Sequence, residues 1–313
     1  YMFRRWSYGL LACVWASTGC ADRYLHGPEP EDVAGHGDVD NGPTTGVTDT
    51  GIAPGLGDFV IDCDGVKVGP QATAGLLRLA DTSTLTDIYD VEFRINAVAT
   101  LFEACQDRRG LFPTVYRPIT SRAVAAIDAQ AFEDNDWARA LVIDFARRYL
   151  VELDAELRGQ DVSWAWNRYY ELAANSRVSA VRVATTAIVV HLGVDLPYCL
   201  VDIGTPEERK DDYYLFGDRL LEVTDIIISE LAVHYGADAN DLFNGFFLGS
   251  WVDGVFGADT TTALSFQTIR TKAWNNRWYL QQCWGGWVAE SEIYSSFWTV
   301  DGVLASLDAA GTI

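Results

Sequence analysis

The chain carries four histidines, and only His191 and His234 fall outside its low-complexity N-terminal part. His191 sits in Ile188-Val189-Val190-His191-Leu192-Gly193-Val194-Asp195-Leu196-Pro197, four residues before Asp195. On a helix that spacing puts both side chains on one face. A carboxylate there fixes the imidazole tautomer and raises its basicity, or joins the ring in holding a metal. The competing reading is a core histidine whose polar atom is satisfied locally. Asp144 lies in an apolar stretch, Val142-Ile143-Asp144-Phe145-Ala146, where a carboxylate needs a partner to offset desolvation. Arg148, four residues on, is the nearest one and makes a structural ion pair the default. Asp211 or Asp212 reads as the cap of a helix, with the Tyr213 phenol beside it. His234, four residues after Glu230 and two before Gly236, reads as a structural group at a helix C-terminus.

The rest of the inventory is thin. There is no G-x-S-x-G elbow, phosphate-binding glycine loop, dinucleotide fingerprint or H-E-x-x-H pair. Two histidines exclude a three-histidine metal centre within the domain, and E-x-x-H, which a helical di-iron site requires, does not occur. Tryptophan is abundant. Trp274 and Trp278, at helical spacing, read first as core packing and second as the lining of a sugar or lipid groove.

The elements that must position these groups are helices. Apolar residues recur at three and four from Thr84 or Thr86 to Cys105, from Tyr116 to Gln130 and from Trp137 to Leu157, the last stopped by Gly159. Ser163 opens Trp164–Asn175. Val178–Val194 is apolar nearly all round, which marks a central helix closed by Pro197. Further helices are expected over Asp212–Tyr235, Asn240–Leu248, Thr260–Leu280 and Trp284–Phe297, after a strand-like lead-in over Phe59–Val68. No strand pattern alternates with them. The fold class expected is all-α: a compact multi-helix domain, orthogonal or bundle-like, around a buried central helix.

Composition divides the chain into 1–20, 21–58 and 59–313. Arg4 and Arg5, the apolar run Trp6–Ala16 and Ser17-Thr18-Gly19-Cys20 match an export signal. The segment resembles a bacterial lipoprotein signal, in which the thiol of Cys20 would be lipidated. Residues 21–58 hold eight Gly, four Pro and eight acids against one Arg, the composition of a flexible acidic tether. The net charge of −21 would repel phosphate backbones, so nucleic acid is a poor partner. Cys63, Cys105, Cys199 and Cys283 are an even number of cysteines outside the cytosol, compatible with two disulfides in three pairings or with buried free thiols.

Several pieces together resemble the DUF5995 family, a domain family of unknown function. They are Gly110-Leu111-Phe112-Pro113-Thr114-Val115-Tyr116 with Thr120, Phe132-Glu133-Asp134, Leu141–Tyr149, Val190–Pro197, Asp212-Tyr213 and Ile269-Arg270-Thr271-Lys272-Ala273-Trp274. Members usually carry asparagine where Gly193 stands and histidines where Arg209 and Lys210 stand, so metal-capable groups are fewer here. The resemblance implies one cluster of Asp144, His191, Asp195, Asp212, Tyr213 and Arg270, with no established chemistry attached.

Three readings of function follow. The first is an extracytoplasmic hydrolase-like enzyme with His191 as base, Asp195 orienting it, Arg270 holding an anion and Tyr213 donating. In its metal variant His191, Asp195, Asp144 and Asp212 would be ligands. The second is a noncatalytic lipoprotein that binds a small molecule or an envelope glycan. The third is a structural helical domain. In all three the partner through Cys20 is a bacterial membrane. Mass spectrometry of the mature protein is expected to find a lipid-modified Cys20 as the first residue; an unmodified N-terminus beyond it would refute the anchor.

Overall fold

The computed structural model describes residues 56–240, 243, 266–282 and 284–313. The signal, Cys20, Cys283 and nearly all of the tether lie outside them, as do most of Asn240–Leu248 and the first residues of Thr260–Leu280.

A short antiparallel hairpin begins the described chain. Cys63–Asp64 (β1) pairs with Lys67–Val68 (β2), and Gly65 supplies the left-handed turn between them. Cys63 is disulfide-bonded to Cys105. Asp62 accepts from the Gln71 and Ala72 amides at the start of α1 (Pro70–Ala80), a helix the periodicity did not announce. Pro70 opens it, at a position where the missing N–H is no loss.

The helices continue as α2 (Ile88–Ala104), α3 (Leu111–Asp128), α4 (Asn135–Arg158), α5 (Trp164–Ala174) and α6 (Ala180–Val190). Asp87, not Thr84 or Thr86, caps α2 through the Tyr89 and Asp90 amides. Gly159 ends α4 in the left-handed conformation, as its sequence position predicts. His191–Asp195 then forms one π-helical turn, followed by α7 (Leu196–Asp202). After it come α8 (Lys210–Leu221), α9 (Thr224–Tyr235), α10 (Phe266–Leu280) and α11 (Gly286–Ala309). The domain is all-α, with the long run Ala180–Asp202 as its buried axis. That run is long and apolar enough to cross a membrane, yet 83% of its most apolar window is buried inside the domain, the position of a core helix.

Three expectations are corrected here. Pro197 does not close the central helix. A proline inside an α-helix loses one hydrogen bond and crowds the carbonyl four residues back, here Gly193. The wide turn lets Pro197 fall in the first turn of α7 instead, and the chain continues. The single helix expected over Asp212–Tyr235 is two, parted at Glu222-Val223, where the Thr224 hydroxyl donates to the Leu221 carbonyl. The cysteines do not form two disulfides, because Cys199 is a buried free thiol on the inner face of α7.

Arginine side chains tie these elements together by donating to carbonyls at helix ends. Arg94 reaches Leu79 and Asp81 after α1, Arg108 reaches Asn175 and Val178 after α5, and Arg277 reaches Thr205 after α7. The Leu79 carbonyl lies in the last turn of α1, where no amide of its own helix can reach it, and the others lie in the connections that follow the helices.

Non-reducing peptide mapping is expected to link Cys63 to Cys105 and to leave Cys199 unreactive to alkylation until denaturation. The bond spans a sequence separation of 42 residues, so its loss should lower stability by about 4 kcal/mol on the chain-entropy account. Denaturant titrations of the native protein and of Cys63→Ser/Cys105→Ser measure the difference.

Candidate functional site

The π turn is packed against α4, α6, α7, α10 and α11, and it holds His191 and Asp195 together. Nδ1 of His191 lies 2.9 Å from Oδ2 of Asp195. The same oxygen accepts from Nε1 of Trp166, on α5, at 3.0 Å. Burial holds the imidazole pKa below its usual value and outweighs the opposing pull of Asp195. The ring is therefore neutral near pH 7, and a carboxylate acceptor at Nδ1 assigns the proton to that nitrogen.

Aromatic rings enclose the imidazole. Phe145 stacks on it at 3.5 Å between centroids and 11° between planes. Phe112, Tyr116 and Trp166 meet it edge-on at 5.1, 5.0 and 6.0 Å. Nε2 is buried and has no hydrogen-bond partner among the described residues. A neutral imidazole with a free Nε2 lone pair is the form a general base needs, but His191 is only 3% exposed, so a substrate would have to part the rings to reach it.

The other four residues of the expected cluster are engaged elsewhere. Asp144 pairs with Arg147 at 3.1 Å and Arg148 at 3.2 Å, and Arg148 continues to Asp202. The buried Cys199 thiol is pushed up mainly by desolvation and further by Asp144. Asp212 does not cap its own helix. From the first turn of α8 its carboxylate accepts from the Glu133 and Asp134 amides, at 2.8 and 2.9 Å, and so fixes the loop before α4. Tyr213 and Arg270 clasp α8 to α10: the phenol donates to the Arg270 carbonyl at 2.7 Å, the guanidinium donates to the Tyr213 carbonyl, and it lies 4.2 Å from the ring centroid. Gly217 makes room for this, since a Cβ there would overlap Nη1 of Arg270. Hydrogen bonds thus join His191 to Asp195 and Trp166, and the remaining four to three separate partner sets.

A second polar group, signalled in the sequence only by the Glu230–His234 spacing, joins α2, α3 and α9. Nε2 of His234 is 3.6 Å from Glu103 and 3.4 Å from Glu230. These three residues are spaced so that they could hold a metal ion. Arg117, however, sits between the carboxylates, 3.0 Å from Glu103 and paired with Glu230, while Thr114 donates to Glu103 at 2.7 Å. A fixed cation already occupies the place where a metal's charge would be needed.

An open cleft, mostly apolar in its lining with a polar rim, lies between α10 and α11. Its volume is about 140 Å³, and Gly193 of the π turn lies in its wall with Val189 and Ile269. Glu292 is the centre of its polar side. It accepts from Lys272 at 2.8 Å, Asn276 at 2.5 Å and Ser296 at 2.6 Å. Burial alone would raise its pKa, but these donors prevail and hold it below the ordinary carboxylate value.

The chain belongs to DUF5995, a family of unknown function whose profile matches residues 88–293. The match takes in α2 to α10, the π turn and the start of α11. No curated protein and no solved structure matches the sequence.

Replacing His191 by Ala leaves the buried Asp195 with Trp166 as its remaining donor and should cost about 1–3 kcal/mol, while His191→Gln should recover much of it. The lowered pKa adds a pH dependence. An unfolded histidine binds protons below about pH 6.5 and the folded one resists them, so stability present above that pH is lost as pH falls through this window. The stability advantage of the native protein over His191→Gln is expected to narrow from pH 7.5 to pH 5 in urea titrations. A constant difference would contradict the neutral buried ring.

Proposed function

We propose that this DUF5995 domain is an exported, lipid-anchored binding protein whose His191–Asp195–Trp166 group is a structural hub, and whose ligand enters the cleft between α10 and α11. The observation that carries the reading is the contrast across the π turn. On one side His191 is sealed by four rings; on the other Gly193 borders an open space rimmed by an ammonium, a carboxylate, an amide and hydroxyls. Such a rim matches a small polar molecule carrying both donors and acceptors, and the Lys272–Glu292 pair can separate to meet a zwitterion or a polyol. Export is supported by the Cys63–Cys105 disulfide, which persists in oxidising compartments, together with the signal-like run ending at Cys20.

One observation favours the hydrolase-like alternative: the unpartnered Nε2 beside a π turn, a distortion frequent at functional sites. The two readings separate experimentally. Saturation-transfer NMR against amino acids, sugars and polyols is expected to give ligands whose signal disappears in Gly193→Val. A Cβ at position 193 meets only Ile269, at 3.7 Å, so the substitution narrows the cleft without a backbone clash. Ester, amide, glycoside and phosphate substrates should show no turnover. Hydrolysis abolished by His191→Gln in a folded protein would replace the binding reading with the catalytic one.

A further inference from the structure

Four arginines are buried among the described residues: Arg94, Arg182, Arg270 and Arg277. The first, second and fourth have a carboxylate within ion-pair distance. Arg94 meets Asp90 at 2.9 Å, Arg182 meets Asp301 and Asp308 at 3.5 and 3.4 Å, and Arg277 meets Glu207 at 2.7 Å. Arg270, at 2% exposure, has none among the described residues. Its guanidinium donates to the uncharged Tyr213 carbonyl and, at 3.5 Å, to the Gln267 amide oxygen, and it lies over the Tyr213 and Phe266 rings. Desolvation is the main influence on its ionisation and holds its pKa below the usual guanidinium value; the one carboxylate that opposes this is Asp218, exposed on α8. A buried charge without a counter-ion is costly.

Arg270 also lines a groove whose other walls are mostly apolar, between α3, α4, α8 and the π turn, with Leu141, Leu192 and Phe216 among them. Ile119 and Phe145 are the half-buried members of the lining and mark its mouth. Tyr116 contributes a second donor, since its phenol makes no hydrogen bond among the described residues. The groove has a volume of about 30 Å³. Roughly 10–15 Å³ of such space holds one water, so the groove admits a carboxylate or a slender chain rather than a ring. We infer that it binds an aliphatic monocarboxylate, the carboxylate against Arg270 and the methylenes along the apolar wall, at a site separate from the cleft and independent of what fills the cleft. The occupant is selected by charge. The lining carries one guanidinium and no acid, so an anion gains a partner there while the ammonium of a cation or zwitterion finds none. A phosphate brings close to two charges and more oxygens than one guanidinium and one phenol can serve. A small inorganic anion would leave the apolar wall uncovered, whereas each methylene laid on that wall adds affinity.

Ligand-observed NMR titrations of the full-length protein with acetate, hexanoate, hexanol and hexylammonium test this, at about pH 7 where the acids are ionised. Hexanoate is expected to bind saturably, and about tenfold or more tighter than acetate, which lacks the chain, or hexanol, which lacks the charge. Hexylammonium should not bind. Ile119→Trp narrows the mouth at a half-buried position and should weaken hexanoate binding about tenfold, with an unchanged far-UV spectrum. Gly193→Val should leave hexanoate binding intact, which separates failure here from failure of the cleft. Arg270→Met should abolish the preference for hexanoate over hexanol. If loss of the clasp between α8 and α10 unfolds that variant, the four ligands on the native protein and Ile119→Trp decide the question. The assignment is overturned by the absence of saturable hexanoate binding, by equal affinity for hexanol or for acetate, or by hexanoate binding that Ile119→Trp leaves untouched.

Discussion

Much of this structure depends on one oxygen atom. Oδ2 of Asp195 accepts from a histidine four residues away and from a tryptophan 29 residues away, and so binds the π turn to α5. The two donors to that atom are in turn packed by the rings of Phe112 on α3 and Phe145 on α4, so α3, α4 and α5 all meet at the π turn. A charge at that depth is costly unless its lone pairs are used. Two N–H donors from different elements meet that requirement, and a neutral imidazole meets it without a second buried charge. The same economy explains why the hub resembles a catalytic dyad. Orienting a base and satisfying a buried acid call for the same hydrogen bond, and what distinguishes them is access to Nε2.

An acidic chain with few basic residues spends those residues on its interior. Arg94, Arg270 and Arg277 are all buried, and each donates to main-chain carbonyls on another element. A guanidinium suits this role because its planar fork reaches two acceptors while its stem packs against rings, as Arg277 does 4.0 Å from the Trp274 centroid. Lysine would bring a more strongly hydrated point charge to the same carbonyls. The helices are therefore joined as much by polar clasps between ends and flanks as by apolar stripes.

Local physics was legible in the sequence and remote partnership was not. The all-α class, the stop at Gly159, the burial of the central helix and the His191–Asp195 bond all follow from spacings within a few residues. Asp144–Arg148 does too, and its being satisfied locally is why it takes no part in the hub. Trp166 could not be paired with Asp195 from the chain alone, since nothing local links residues 29 apart. The family resemblance gathered Asp212, Tyr213 and Arg270 with His191, and they do fall on neighbouring helices, but each found a main-chain partner that side-chain types do not reveal. Cysteine parity failed for a similar reason: Cys199 sits on a face buried by α4 and meets the Leu141 carbonyl rather than another sulfur. The helix α1 was hidden because Gly69-Pro70 reads equally as a turn and as a helix start.

The π turn also sets the phase of everything after it. A helix that gains one residue without gaining a turn shifts the faces of all later positions by about 100°. Leu200 and Cys199 face the core, and Asp202 reaches Arg148, only in the register that the extra residue provides. Deleting Gly193 would not simply shorten the chain. It would rotate α7 by more than a quarter turn, carry Pro197 back into a continuous helix, and bring a solvent-facing stripe to the interior. A one-residue deletion here is thus a change of register for a whole helix, whereas the same deletion at the C-terminal end of α11 would leave the rest of the domain in place.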